Sequence, residues 1–212
     1  MYTVGLDKLD SLILYSQHKK TKGKIKNIFV SSETKEIIFG SLLGDAKLEL
    51  SARSLNARFG FIQAESKRDY FISVLNHLAC INSGKYREYS YIDKRTNKTY
   101  KNLNFWSKAL PMLNEFYEKF YKGKVKIVPS DLSLLTPLAL AHWVAQKGKL
   151  NGKGLYICTD NFDYTDIKRL TKYLTHSYNI KCTVHRVKGR KHRIYILPKS
   201  VQTLNDIILP YL

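Results

Sequence analysis

The sequence predicts an α+β fold built from two similar halves, each running helix, two strands, helix, two strands, helix. Three observations carry that prediction. Two helical segments, residues 38–46 (IFGSLLGDA) and 140–148 (LAHWVAQKG), recur at an offset of 102 residues, with Asp45 and Lys147 in corresponding places. Behind each, short period-2 segments alternate with longer ones of helical spacing. The chain has 212 residues, 44% of them hydrophobic, enough to bury a core in each half.

The elements follow in order. Residues 1–35 include Lys19, Lys20, Lys22, Lys24 and Lys26 without apolar periodicity, and are expected to be a basic N-terminal arm. Residues 36–44 (EIIFGSLLG) predict a buried helix ended by Gly44. Lys47, Glu49, Ser51 and Arg53 alternate with Leu48, Leu50 and Ala52, the signature of a half-exposed strand, and 57–64 predict its partner. Tyr70, Phe71, Val74, Leu75 and Leu78 place a helix over 67–80. Aromatic-rich strands are expected near 85–92 and 98–106, then a helix at 107–121, closing a first repeat of 36–121. Residues 122–135, with Pro129, are expected to be a linker.

The second repeat, 136–212, opens at Thr136 and Pro137, with proline suited to a first helical turn. A strand near 154–159 and a helix at 165–177 capped by Asp163 or Thr165 follow. A hairpin of 180–187 and 192–197 turns at Lys188-Gly189-Arg190, and a helix from Ser200 to about Tyr211 ends the chain.

Charge and composition exclude several classes. Lys and Arg number 36 against 17 Asp and Glu, a formal charge of +19, which points to a polyanionic partner, most commonly nucleic acid. No apolar run approaches the roughly 18 residues that span a bilayer. The first twenty residues lack a signal-peptide pattern, and Asp7 and Asp10 argue against a transit peptide. Cys80, Cys158 and Cys182 are odd in number and widely spaced, so neither a disulfide framework nor a zinc site is expected. Lysine, tyrosine, isoleucine and asparagine have AT-rich codons, which fits an organellar genome.

Laid over each other, Ile38-Phe39-Gly40-Ser41-Leu42-Leu43-Gly44-Asp45-Ala46 and Leu140-Ala141-His142-Trp143-Val144-Ala145-Gln146-Lys147-Gly148 resemble the two motif helices of single-chain LAGLIDADG homing endonucleases. The resemblance covers residues 35–212. It implies two pseudo-symmetric αββαββα repeats whose curved antiparallel sheets form a nucleic-acid-binding saddle, with a monomer made pseudo-symmetric internally. The motif helices must approach closely, and small residues every fourth position, Gly40 and Gly44 in one and Ala141 and Ala145 in the other, suit that.

In the family, an acid at the eighth motif position of each helix holds divalent ions, typically Mg²⁺, on the scissile phosphates. Asp45 fills that place in the first motif. Lys147 stands there in the second, and Asp and Glu are absent from 132–159, so no shift of alignment restores the acid. A protonated lysine has no lone pair for a metal. Beside a dication at about 4 Å its repulsion is several kcal/mol even at an effective dielectric of about 20. Loss of double-strand cleavage with retention of binding is therefore expected, and Mg²⁺ is expected only with residual nuclease activity at Asp45. The resemblance also assigns Gln63 to water orientation and Lys191, with Lys101 as its first-half counterpart, to the basic residues closing each active site.

Outward strand positions supply the binding candidates: Lys47, Arg53, Arg58, Lys85 and Arg87 in the first half, and Lys181, His185, Lys188, Arg190 and Arg193 in the second. Tyr86, Tyr89, Tyr91 and Tyr100 interleave with them, suiting either strand packing or stacking on unpaired bases. The expected partner is structured RNA, in a maturase-like role or in an organellar ribonucleoprotein such as a ribosome. The alternative is a site-specific DNA endonuclease or nickase that uses Asp45 and a divalent metal on duplex DNA.

Overall fold

A computed structural model describes residues 30–187, 189 and 191–212. The lysine cluster of the expected basic arm, and the binding candidates Lys188 and Arg190, lie outside the described residues.

Helix α1 spans Ser32–Leu43, starting four residues earlier than expected because Ser31 caps it, its Oγ accepting from Thr34 N at 3.1 Å. It is buried on every side from Ile37 to Leu43. Strand β1 is only Lys47–Glu49, and β2 is Arg58–Ala64. The expected continuation of β1 to Arg53 fails. Ser51 and Ser54 bond the local backbone instead, Ser51 Oγ accepting from Arg53 N at 3.4 Å and Ser54 Oγ donating to Asn56 O at 2.7 Å. Arg53 therefore sits in a turn, exposed, and not on a strand.

Helix α2 is Arg68–His77, followed by the long strands β3, Asn82–Asp93, and β4, Lys98–Ser107. Helix α3 begins at Met112, not 107, because β4 runs through Ser107, whose Oγ accepts from Phe59 N at 2.8 Å. The expected linker is structured. Strands β5, Tyr121–Lys122, and β6, Val125–Lys126, form a hairpin whose turn includes Gly123 at φ +63°. Val128 beyond it is buried, its N–H donating to Asp166 Oδ2 at 3.0 Å.

The second repeat comprises α4, Pro137–Lys147; β7, Gly148–Asn151; β8, Gly154–Ile157; and α5, Tyr164–Tyr178, capped by Asp163. Strands β9, Cys182–Arg186, and β10, His192–Ile196, precede α6, Pro198–Ile208. Strand β7 escaped the sequence because all four residues are exposed and carry no apolar alternation.

Two antiparallel four-stranded sheets result, ordered β1-β2-β4-β3 and β7-β8-β10-β9, identical position by position. The register puts Leu48, Phe59, Phe61, Gln63, Leu103 and Phe105 on one buried face of the first sheet, against the helices. Leu155, Ile157, Ile194 and Ile196 do the same in the second. Among the described residues, the opposite face of each sheet carries no helix.

Between the sheets α1 and α4 pack side by side. A Cβ on Gly40 would meet the carbonyl of Ala139, with Ala139 C and Cα at 2.7 and 2.8 Å, so backbone touches backbone there. A Cβ on Gly44 would strike the Gln146 side chain. The glycines thus act as expected, but the residue against Gly40 is Ala139. Ala141 is fully buried, whereas Ala145 is half-buried and its carbonyl accepts from Lys67 Nζ at 3.2 Å. The rigid contact at Gly40 gives a test. Gly40→Val is expected to destabilise the protein by about 3 kcal/mol or more, because no rotamer relieves a backbone clash. Urea denaturation of the two proteins measures it.

Candidate nucleic-acid interface

The C-terminal ends of α1 and α4 meet, and the side chains of both motifs converge. Gln146 is buried and uses its whole amide. Its Oε1 accepts from Asp45 N at 2.7 Å, and its Nε2 donates to Ser41 Oγ and Tyr70 Oη at 3.0 Å each. Asp45 Oδ1 pairs with Lys147 Nζ at 2.6 Å, and its Oδ2 accepts from Gln63 Nε2 at 2.7 Å. Both members of the ion pair keep about a quarter of their side-chain surface exposed, 26% for Asp45 and 24% for Lys147. The offset pair found in the sequence is thus an ion pair across the pseudo-twofold axis.

Lys126, from β6, closes the group and had no signal in the sequence beyond belonging to a basic linker. Its Nζ donates to Ala46 O at 2.7 Å. Part of its stem reaches solvent, but the ammonium is desolvated, and burial, then the charge of Lys147, brings its pKa down to about 7 against a smaller opposing pull from Asp45. His142, at the motif position of Gly40, is buried against Tyr70, with Nδ1 and the phenol oxygen 2.9 Å apart. Burial first, then the nearby His77, lowers its pKa to about 4, so it is neutral at physiological pH.

This donor set does not fit a divalent metal. Mg²⁺ takes six oxygen ligands, one or two of them carboxylate and the rest water or phosphate, and is repelled by an ammonium in contact with its carboxylate. Both oxygens of Asp45 are engaged by nitrogen donors, and no group of three or more His, Cys, Asp or Glu able to hold a metal exists among the described residues.

The other expected site residues divide. Gln63 lies late in β2, and its amide bonds the Asp45 carboxylate. Lys101 shares the helix-side face of β4 with Leu103, is 67% exposed in its side chain, and pairs with Glu65 at 3.8 Å. Alternation along the strand turns it away from the open face. Lys191 acts on Asp160. Arg193 chiefly, then Lys191 and Lys147, hold the Asp160 carboxyl below the usual carboxylate range. Asp160 sits just beyond the acid-free stretch and was not singled out in the sequence.

On the open face of the first sheet, register groups Lys47, Arg58 and Trp106, with Lys47 Nζ 5.1 Å and the Arg58 guanidinium 4.2 Å from the indole ring. Arg87, Tyr89 and Tyr91 of β3 lie on this face opposite Asn104, Asn102 and Tyr100. Lys85 is exposed on the same strand, while Tyr86 turns to the helix side against Phe71. The second sheet's open face is tied to itself. His185 is hydrogen-bonded to Tyr156 at 2.8 Å and Thr183 at 3.0 Å and stacks on Tyr195. Arg193 is held bidentately by Asp160 at 2.8 and 2.6 Å. Lys181 is exposed just before β9.

A family model described as "LAGLIDADG DNA endonuclease family" matches residues 35–204. The chain belongs to the LAGLIDADG family. Among curated relatives, the cytochrome b mRNA maturase bI2 of Debaryomyces hansenii is 31% identical over 86% of this chain and 71% of its own length. The maturase of the same name from Saccharomyces cerevisiae is 33% identical over 83% of this chain, which spans only 44% of it. The DNA endonuclease I-ChuI of Chlamydomonas applanata is 30% identical over 86% of this chain and 92% of its own. The structure of the homing endonuclease I-WcaI bound to its DNA recognition sequence superposes with a TM-score of 0.80 over 86% of this chain and 83% of that one, at 19% identity. The fold is therefore that of LAGLIDADG homing endonucleases, as the motif helices implied.

Lys126 makes stability depend on pH in a defined direction. Its folded-state pKa of about 7 lies below the unfolded value of 10.5, so between them the unfolded chain holds the extra proton and stability rises with pH. Lys126→Met is expected to flatten the stability curve between pH 7 and 10, removing a rise of about 3 kcal/mol. Denaturant titrations of both proteins across that window check it.

Proposed function

We propose that this LAGLIDADG protein binds structured intron RNA in a maturase-like role and no longer cuts both strands of DNA. The observation that carries the reading is the Lys147–Asp45 ion pair at 2.6 Å. It fills the place of the metal-binding acid pair with one carboxylate and one ammonium, and an ammonium offers a metal nothing. Two further facts support it. Two relatives bear the name cytochrome b mRNA maturase, and the charge of +19 gives strong phosphate affinity without any cutting chemistry. The same names, and a composition rich in lysine and other amino acids with AT-rich codons, support an organellar, intron-encoded origin, in the mitochondrion or another organelle.

In this role the centre is structural. Gln146 joins the two helix ends, Gln63 fixes the Asp45 carboxylate, and Lys147 neutralises it. Phosphates are met by unpaired cations of the open face, such as Arg87, and by the basic segments around the sheets. A second reading, a DNA endonuclease or nickase working through Asp45, draws on the relative named DNA endonuclease I-ChuI.

Mg²⁺ distinguishes the two readings. Up to about 10 mM Mg²⁺ is expected to leave the thermal midpoint of the wild-type protein unshifted. Lys147→Asp, which rebuilds two facing carboxylates, is expected to be less stable in chelator and to gain several degrees on adding Mg²⁺. Mg²⁺-dependent nicking of target DNA by the wild type, abolished by Asp45→Asn, would overturn the binding-only reading.

A further inference from the structure

The β3–β4 hairpin has no equal in the second repeat. Its strands run 12 and 10 residues, against five each for β9 and β10. It outreaches α2, leaving nearly every residue from Lys85 to Lys101 exposed. Three tyrosines share the open face of this arm: Tyr89, Tyr91 and Tyr100, 40, 48 and 41% exposed. Tyr91 and Tyr100 stand directly opposite and stack, with centroids 5.6 Å apart and planes at 25°.

The charge around them is one-sided. Residues 82–107 carry six cations and two carboxylates, and both carboxylates are taken, Glu88 by Arg68 at 2.7 Å and Asp93 by Arg95 at 3.9 Å. Arg87 is the next residue to Tyr89 on the open face, two positions before it in sequence, and Lys98 stands in the same relation to Tyr100. Flat exposed rings beside exposed cations match the two halves of a nucleotide, base and phosphate. A duplex keeps its bases stacked inside and offers such rings no free base face. The corresponding surface of the second sheet is closed, because Tyr156, His185 and Tyr195 pack and bond among themselves.

We infer that the open face of the β3–β4 arm is a binding site for unpaired nucleotides, with Tyr89, Tyr91 and Tyr100 stacking on bases and Arg87 and Lys98 meeting their phosphates. It deepens the RNA-binding reading and rests on it only for the choice of RNA over DNA. The cross-strand pair of Tyr91 and Tyr100 also braces the hairpin, so Tyr89, outside the pair, supplies an independent variant.

The test uses the full chain and single strands of about twelve nucleotides carrying 2-aminopurine, as RNA and as DNA of the same sequence, alongside the matching duplexes. Tyr89→Leu and Tyr91→Leu are each expected to weaken single-strand binding roughly tenfold and to abolish fluorescence quenching. Tyr89→Phe and Tyr91→Phe, which keep the ring, are expected to retain both within about twofold, and duplex binding is expected to hold for all four. Equal losses in the Leu and Phe variants, or parallel losses on duplexes, would overturn the inference. A wild type that prefers DNA strands to RNA would overturn the RNA reading alone, since the Leu–Phe contrast on single-stranded DNA still decides the stacking.

Discussion

Everything at the centre of this molecule depends on how closely α1 and α4 approach. Where Gly40 meets the backbone of Ala139, there is no room for a side chain, and the two helix axes are set by main-chain contact. Main chain does not change rotamer, so the spacing passes undiminished to the helix ends. There Gln146 occupies the space that the absent side chain of Gly44 leaves, and its amide ties Asp45 N, Ser41 and Tyr70 together. Thr136 Oγ1 donates to Glu36 Oε2 at 2.6 Å near the opposite ends. The helices are thus pinned at both ends, and the sheets on either side inherit their relation from them.

The pinned ends explain the value of a lysine at position 147. Two carboxylates forced together by such an interface would repel at short range, and one pKa would rise unless a cation lay between them. Lys147 brings the cation on its own stem. The pair with Asp45 neutralises the junction without an external ion, and Gln63 holds the remaining carboxylate oxygen. Lys126 lies in a desolvated place beside the Lys147 ammonium, and burial first, then that charge, depresses its pKa. Stability of the junction and metal binding are alternatives here, since both draw on the same two oxygens of Asp45.

Much of this was legible in the sequence, for identifiable reasons. The motif helices showed because they are buried on all sides and recur at a fixed offset. Asp45, Gln63 and Lys147 showed through the motif resemblance, and they do meet. Strand β7 did not show, because its exposed Lys149 and Leu150 carry no alternation. Lys126 did not, because nothing local distinguishes a lysine that folds back onto Ala46 from its solvated neighbours Lys122 and Lys124. Lys101 was named only as a counterpart of Lys191, and the face it takes is set by register with β3, a long-range fact that no spacing reveals. Arg193 and His185 were rightly seen as outward, but their capture by Asp160 and Tyr156 is a long-range fact that no spacing reveals.

That capture bears on how the excess of charge is used. A pseudo-symmetric scaffold would be expected to offer two equal halves to a partner, as suits a nearly palindromic duplex. Here the halves match in strand order but not in surface. In the second sheet the aromatic side chains pack on one another and Asp160 holds Arg193, while the first extends a long hairpin whose carboxylates are neutralised and whose Arg87 and tyrosines face outward. An asymmetric partner, with an irregular strand on one side, suits this surface better than a duplex of two similar half-sites. The lysine at the junction and the unequal sheets therefore point the same way: the fold keeps the strand order of a symmetric binder, while its side chains are better matched to an unsymmetric one.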